Sequence, residues 1–243
     1  LAGDALTDAD YNTAVGYRAL SADTLGSRSV AVGRESLFNQ NFTTATDSYN
    51  VAVGYSAGQQ VTTGRYNTII GGEAADALTS SNNNIAIGYQ ALSSDTQGTK
   101  TVAIGVDALL NQNHTTNTDT YNIAVGYHAG RDVTTGIRNT ILGSLAADSL
   151  TSGGRNVSLG YAAHSADTLG SRSVAIGYEA LGTQNFTTAT DNYNIGIGYS
   201  AGNVLTTGIE NTIIGGLAGD ALTDADFNTA VGQGALSTDT LGS

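Results

Sequence analysis

The 243-residue chain has no cysteine, proline, methionine or tryptophan. Without cysteine there is neither a disulfide nor a thiolate metal ligand. The missing methionine leads us to expect an internal or processed piece of something longer. Charge is also scarce, at 12% of residues, and it is unbalanced: nine basic against 21 acidic side chains give a net −12. That sign repels nucleic-acid phosphates and anionic membranes, and its plainest use is to keep a repetitive surface soluble. No run reaches the roughly 18 apolar residues of a membrane span and no signal peptide opens the chain, so a secretion signal or anchor is expected outside this segment.

Glycine is abundant, with 32 copies, and its placement is periodic. "YNTAVGYRAL" begins at Tyr11 and "FNTAVGQGAL" at Phe227, and residues 1–27 match 217–243 at 23 of 27 places. The glycines that close each such phrase are Gly16, Gly33, Gly54, Gly71, Gly88, Gly105, Gly126, Gly143, Gly160, Gly177, Gly198, Gly215 and Gly232. Their spacings run 17, 21, 17, 17 and repeat, which sums to 72. We therefore divide the single repetitive segment 1–243 into superrepeats at about 1–72, 73–144 and 145–216, with a partial fourth at 217–243.

Four residues before each glycine stands Asn12, Asn50, Asn67, Asn84, Asn122, Asn139, Asn156, Asn194, Asn211 or Asn228, with Ser29, Thr101 and Ser173 as exceptions. The next residue is β-branched, and the one just before the glycine is Val, Ile or Leu. Between them sits mostly Ala, replaced by Ile69, Ile141 and Ile213 at one phase of the superrepeat. This is period-two alternation closed by a glycine corner, with turn residues between units. A 17-residue unit is too short for a strand plus a substantial helix and two turns. It predicts one coil of an all-β, parallel β-roll or β-solenoid of about 13 coils, with the extra four residues of each 21-residue coil bulging outward.

Stacked coils place like on like. The asparagines then read as a side-chain ladder, the β-branched residues as a packed column and the glycines as corners without a Cβ. A strand face in water should be polar, yet Val and Ile fill one side here and Ala and Gly the other. Small apolar residues on that second side predict close approach by another wall of the roll or by an identical chain, and we expect side-by-side homo-oligomers with the Ala/Gly face as the seam.

Chemistry finds less support. His114, His128 and His164 occupy different repeat positions, and no catalytic grouping is visible around them, so no enzyme is expected. Asp4, Asp8 and Asp10, repeated at Asp220, Asp224 and Asp226, raise Ca²⁺ as a ligand. The middle superrepeats read "DALTSSN" and "DSLTSGG" and lose two of the three acids, so the expectation is no cofactor and no metal. Phe42, His114 and Phe186 sit at one phase in the 21-residue coils and are the candidate exposed loop contacts, with folding back under the bulge as the alternative.

"NTAVGYRA", "NVAVGYSA", "NIAIGYQA", "SVAIGYEA" and "NIGIGYSA" resemble the head repeats of YadA-like trimeric autotransporter adhesins. Similar arrays resemble segments of phage tail fibres and giant bacterial surface proteins. The resemblance covers essentially the whole chain. It implies left-handed parallel β-rolls associating in threes, an extracellular place on a surface fibre or filament, and a host-cell, prey-cell or matrix receptor as partner. Neither nucleic acid nor membrane insertion is expected of this segment. A phage fibre is the alternative within that class. An ice-binding solenoid is the rival from another class, with Thr13, Thr68, Thr140, Thr212 and Thr229 in the β-branched column. The regular aliphatic pattern argues for burial of that face rather than display of threonine.

Overall fold

The computed structural model describes residues 1–240. It is a parallel β-solenoid of about thirteen coils, with no helix among the described residues. Two compact units divide it, Leu1–Tyr121 and a second beginning at Asn122. In the first unit the sheet strands are Thr13–Val15, Val30–Val32, Val51–Val53, Thr68–Ile70, Ile85–Ile87 and Val102–Ile104. In the second they are Ile123–Val125, Thr140–Leu142, Val157–Leu159, Val174–Ile176, Ile195–Ile197, Thr212–Ile214 and Thr229–Val231. Within each unit the strands pair in parallel and in register with the next coil, as Val30, Ala31 and Val32 do with Val51, Ala52 and Val53. Strands of three residues are marginal alone, so stability comes from stacking.

The interior lies on the alanine side. Ala31, Ala52, Ile69, Ala86 and Ala103 are fully buried, while the flanking Val, Ile and Thr side chains point outward. This corrects the expected seam: the second wall that meets the alanines belongs to the same coil, and the larger aliphatics face out. Where glycine replaces leucine in the turn of one coil, isoleucine replaces alanine on the strand of the next. A Cβ at Gly58 would stand 2.8 Å from Ile69 Cδ1, and one at Gly202 would stand 2.9 Å from Ile213 Cδ1. The isoleucines in the alanine column are thus volume exchanges that keep the interior close-packed.

At the corner, Gly54 has φ +142°, and a Cβ there would lie 2.3 Å from the Gly71 carbonyl oxygen of the next coil. The other corner glycines share this conformation, from +125° at Gly232 upward. Only glycine populates that region readily.

The asparagines stitch successive coils. Asn67 Oδ1 accepts the Asn84 N–H at 3.0 Å, and Asn67 Nδ2 donates to the Ser81 carbonyl at 2.9 Å. Asn139 and Asn211 repeat both bonds in the second unit, to Asn156 N and Gly153 O and to Asn228 N and Ala225 O. At Ser29 and Ser173 the ladder lacks an amide, and the 21-residue coil supplies a substitute. Ser48 Oγ stands 2.5 Å from Ser29 Oγ and accepts the Asn50 N–H at 3.4 Å. Asn192 Oδ1 accepts from Ser173 Oγ at 2.6 Å and from the Asn194 N–H at 3.0 Å. The inserted segments also form short parallel pairs, Gly26–Ser27 with Thr46–Asp47, Gly98–Thr99 with Thr118–Asp119, and Gly170–Ser171 with Thr190–Asp191.

Candidate functional site

The outward face of the strands is the first candidate. Val15, Ile70 and Ile85 in the first unit and Ile123, Leu142, Leu159 and Val231 in the second are each more than a third exposed. Tyrosines border the face on both sides, because they fall either just after the corner glycine or just before the asparagine. They stack along the solenoid, Tyr161 on Tyr178 at 5.3 Å between ring centroids and Tyr178 on Tyr199 at 5.4 Å. Along the column before the asparagine, a cation recurs every 72 residues and is held the same way each time. Arg28 pairs with Asp47 at 2.9 Å beside Tyr11, Lys100 with Asp119 at 2.6 Å beside Tyr121, and Arg172 with Asp191 at 2.9 Å beside Tyr193. The hydrogen bond from Lys100 holds the Asp119 carboxyl below the usual carboxylate range. The face is therefore apolar, aromatic at its borders and regularly spaced at about 4.8 Å per coil.

Phe42, His114 and Phe186 are not exposed contacts. They are 5%, 7% and 5% exposed, so the inserted loop folds its aromatic side chain inward. The Phe42 ring lies over Gly26, where a Cβ would stand 2.7 Å from Phe42 Cδ2. A buried aspartate fixes each fold-back, a feature that was not singled out in the sequence. Asp23 Oδ1 accepts the Gly26 and Phe42 N–H groups at 3.0 and 3.1 Å, while Oδ2 accepts Gln40 Nε2 at 2.6 Å. Asp95 does the same with Gly98, His114 and Gln112, and Asp167 with Gly170, Phe186 and Gln184. The signal was present: an Asp three before a Gly and seventeen before a Gln, every 72 residues.

The third of these clusters carries a histidine. His164 Nε2 lies 2.9 Å from Asp167 Oδ2, and His164 Nδ1 lies 3.4 Å from Ser158 Oγ. A Ser–His–Asp series thus exists where the sequence reading saw none. All three residues are 0% exposed, so Ser158 meets no molecule in solution in this structure. His164 stands where Leu20 and Leu92 stand in the earlier superrepeats, and Ser158 where Ala14 and Ala86 stand, so two polar residues enter one apolar layer together. Burial works to raise the Asp167 pKa. The bonds from His164, Gln184 and the Phe186 N–H outweigh it and hold the carboxyl below its usual range.

Among the described residues no three His, Asp or Glu side chains are grouped to hold a metal ion. In the acidic turn near the end of the chain, Asp226 Oδ1 accepts the Ile209 N–H at 2.8 Å and Asp224 Oδ1 accepts from Thr223 Oγ1 at 3.2 Å. No family model matches the chain, and neither a curated protein nor a solved structure matches it.

Proposed function

We propose that the chain is a structural and adhesive shaft or head module of an extracellular fibre, on a bacterial surface or in a phage tail. Identical chains, three by preference, associate through the outward Val/Ile/Thr face and its tyrosine borders. The observation that carries this reading is the apolar character of a face that a lone solenoid leaves in water. In the second unit, seven strands spaced about 4.8 Å apart and about 10 Å long present roughly 300 Å² in projection before the tyrosines are added. A patch of that size is at the scale that marks interaction surfaces. Because the same two columns recur on every coil, the interface grows with the number of coils and needs no new contact type.

Multi-angle light scattering tests the assembly. The expected mass is about 74 kDa, three times the 24.6 kDa of one chain. Ile176→Lys together with Ile197→Lys should shift it to one chain while the circular dichroism stays β-rich. A parent protein that runs as a stable monomer overturns the shared face. The ice-binding reading would then gain, because Thr68, Thr140 and Thr212 stand on a regular face that points outward rather than inward. Thermal hysteresis of the monomer would decide it.

A further inference from the structure

A hollow of about 270 Å³ opens in the second unit between Ala162, Ser165, Glu179, Gly182, Thr183 and Asn203. Its counterpart in the first superrepeat is full. There Arg18, the position 144 residues before Ala162, lays its guanidinium over the Phe38 ring at 4.1 Å from the centroid. Phe38 is the counterpart of Gly182. Arg18 Nη1 also stands 3.7 Å from Glu35 Oε1, as does Arg34 Nη2, and Gln59 Nε2 donates to Glu35 Oε2 at 3.0 Å.

In the third superrepeat the carboxylate is kept and its cations are gone. Glu35 becomes Glu179, while Arg18 becomes Ala162, Arg34 becomes Tyr178 and Phe38 becomes Gly182. Glu179 is half-buried, and no ion pair joins it to a Lys, Arg or His among the described residues. The neighbouring Glu179 carboxylate pushes the Tyr178 phenol pKa up. A phenol is a weak partner for a carboxylate that its counterpart pairs with two guanidiniums. The two truncations, Arg to Ala and Phe to Gly, remove the charged head and the surface it lay on, so the space left is the one an arginine side chain fills in the first superrepeat.

We propose that this hollow binds the guanidinium group of an arginine-type ligand, with Glu179 as its counter-ion and Asn203 Oδ1 beside it as a further acceptor. A Cβ at Gly182 would stand 2.5 Å from Asn203 Oδ1, so the glycine is what lets the amide lean over the space. A planar guanidinium with five donors suits a carboxylate and an amide oxygen together better than an ammonium does.

The test is a titration followed by amide resonances of Gly182, Thr183 and Asn203 in the intact chain. The probes are N-acetyl-arginine amide, the tripeptide acetyl-Gly-Arg-Gly-amide, and N-acetyl-citrulline amide as the uncharged isostere. Saturable shifts are expected from both arginine probes at millimolar concentration, at least fivefold weaker in 0.5 M salt, and none from citrulline. Equal binding of the two arginine probes assigns recognition to the head group alone, and tighter binding of the tripeptide assigns the ligand to a protein chain. Either supports the proposal. Glu179→Gln, which keeps shape, should abolish the shifts, and so should Gly182→Leu, which copies Leu110 of the second superrepeat. Ala162→Arg with Gly182→Phe should rebuild the filled arrangement and also remove binding, with a melting point no lower than the parent's. Unsaturable shifts, equal shifts from citrulline, or shifts that persist in Glu179→Gln overturn it.

Discussion

Removing one rung of the asparagine ladder should destabilise the solenoid far more than its exposure to solvent suggests. Asn67 is 1% exposed, and its side chain makes two bonds that the backbone needs. Its Oδ1 accepts the Asn84 N–H at 3.0 Å, and its Nδ2 donates to the Ser81 carbonyl at 2.9 Å. Asn67→Ala removes both partners. Each buried backbone group left without its bond costs about 1–3 kcal/mol, so the pair comes to roughly 2–6 kcal/mol. At roughly 2–4 °C per kcal/mol for chains of this size, the melting point should fall by about 10 °C. Circular dichroism follows the melt. Because solenoids lose cooperativity along their length, amide hydrogen exchange at Asn84 should be read beside it. Asn67→Asp keeps the acceptor and loses the donor, and should fall between parent and alanine variant. A melting point within about 2 °C of the parent, with unchanged exchange at Asn84, would refute the reasoning and reduce the ladder to an accompaniment of the strands.

The remaining expectations concern the core, the titratable groups and the backbone. His164→Leu with Ser158→Ala restores the apolar layer seen at Leu20 and Ala14, and should raise the melting point, since buried polar clusters are often less stable than apolar ones of equal volume; a fall would show that the cluster stabilises its layer. The folded-state pKa of Asp167 is depressed, so its contribution is present above the unfolded carboxylate value of about 4 and is lost as pH falls through the folded value. Acid melts of Asp167→Asn should accordingly show less loss of stability below pH 4 than the parent, and equal slopes would contradict the assignment. Burial, with a smaller effect from Glu73, raises the Asp76 pKa, so its charge opposes folding at neutral pH and ceases to do so as pH falls. Asp76→Asn should then be more stable than the parent at pH 7 and level with it in acid, as denaturant melts at the two pH values would show. Leu217 is exposed and held at φ +56°, so Leu217→Gly should cost nothing or stabilise by up to about 1 kcal/mol; a clear loss in urea melts would mean the leucine packs against something in solution.

The coil was legible because its constraints fall on single residue types at fixed spacing. Gly54 must lack a Cβ against the Gly71 carbonyl, and Asn67 must offer both a donor and an acceptor, so both columns are nearly invariant and stand out. Which strand face is inside was misread. Alternation gives two faces and not their direction, and Val, Ile and Ala are all apolar, so hydropathy does not choose between them. Size does: a coil this narrow admits alanine, and it admits Ile69 only where Gly58 makes space. The buried aspartates were missed for a related reason. Asp23 looks like any acid in a turn until Gln40, seventeen residues on, is laid beneath it by the stacking. Phe42 and Phe186 were placed at one phase correctly, but only the structure shows both rings buried and the Phe42 ring turned onto Gly26.

The positions free to vary follow a physical rule that bears on function. Two residues after the corner glycine, successive coils carry Arg18, Glu35, Ser56, Glu73 and Gln90, all at φ between +53° and +58°. Left-handed backbone at a non-glycine residue costs roughly 1–2 kcal/mol, and yet no residue type is selected there. The conformation must therefore be imposed by the coils above and below, through bonds such as Glu35 N–H to the Tyr17 carbonyl at 2.8 Å. A backbone fixed by its neighbours places little demand on the identity of the side chain it carries. Charge, ring or amide can then be exchanged at that column without altering the fold. Arg18 is replaced by Ala162 at this column, and that exchange, together with Gly182 in place of Phe38, is how one superrepeat comes to hold an open hollow where another holds a closed ion pair.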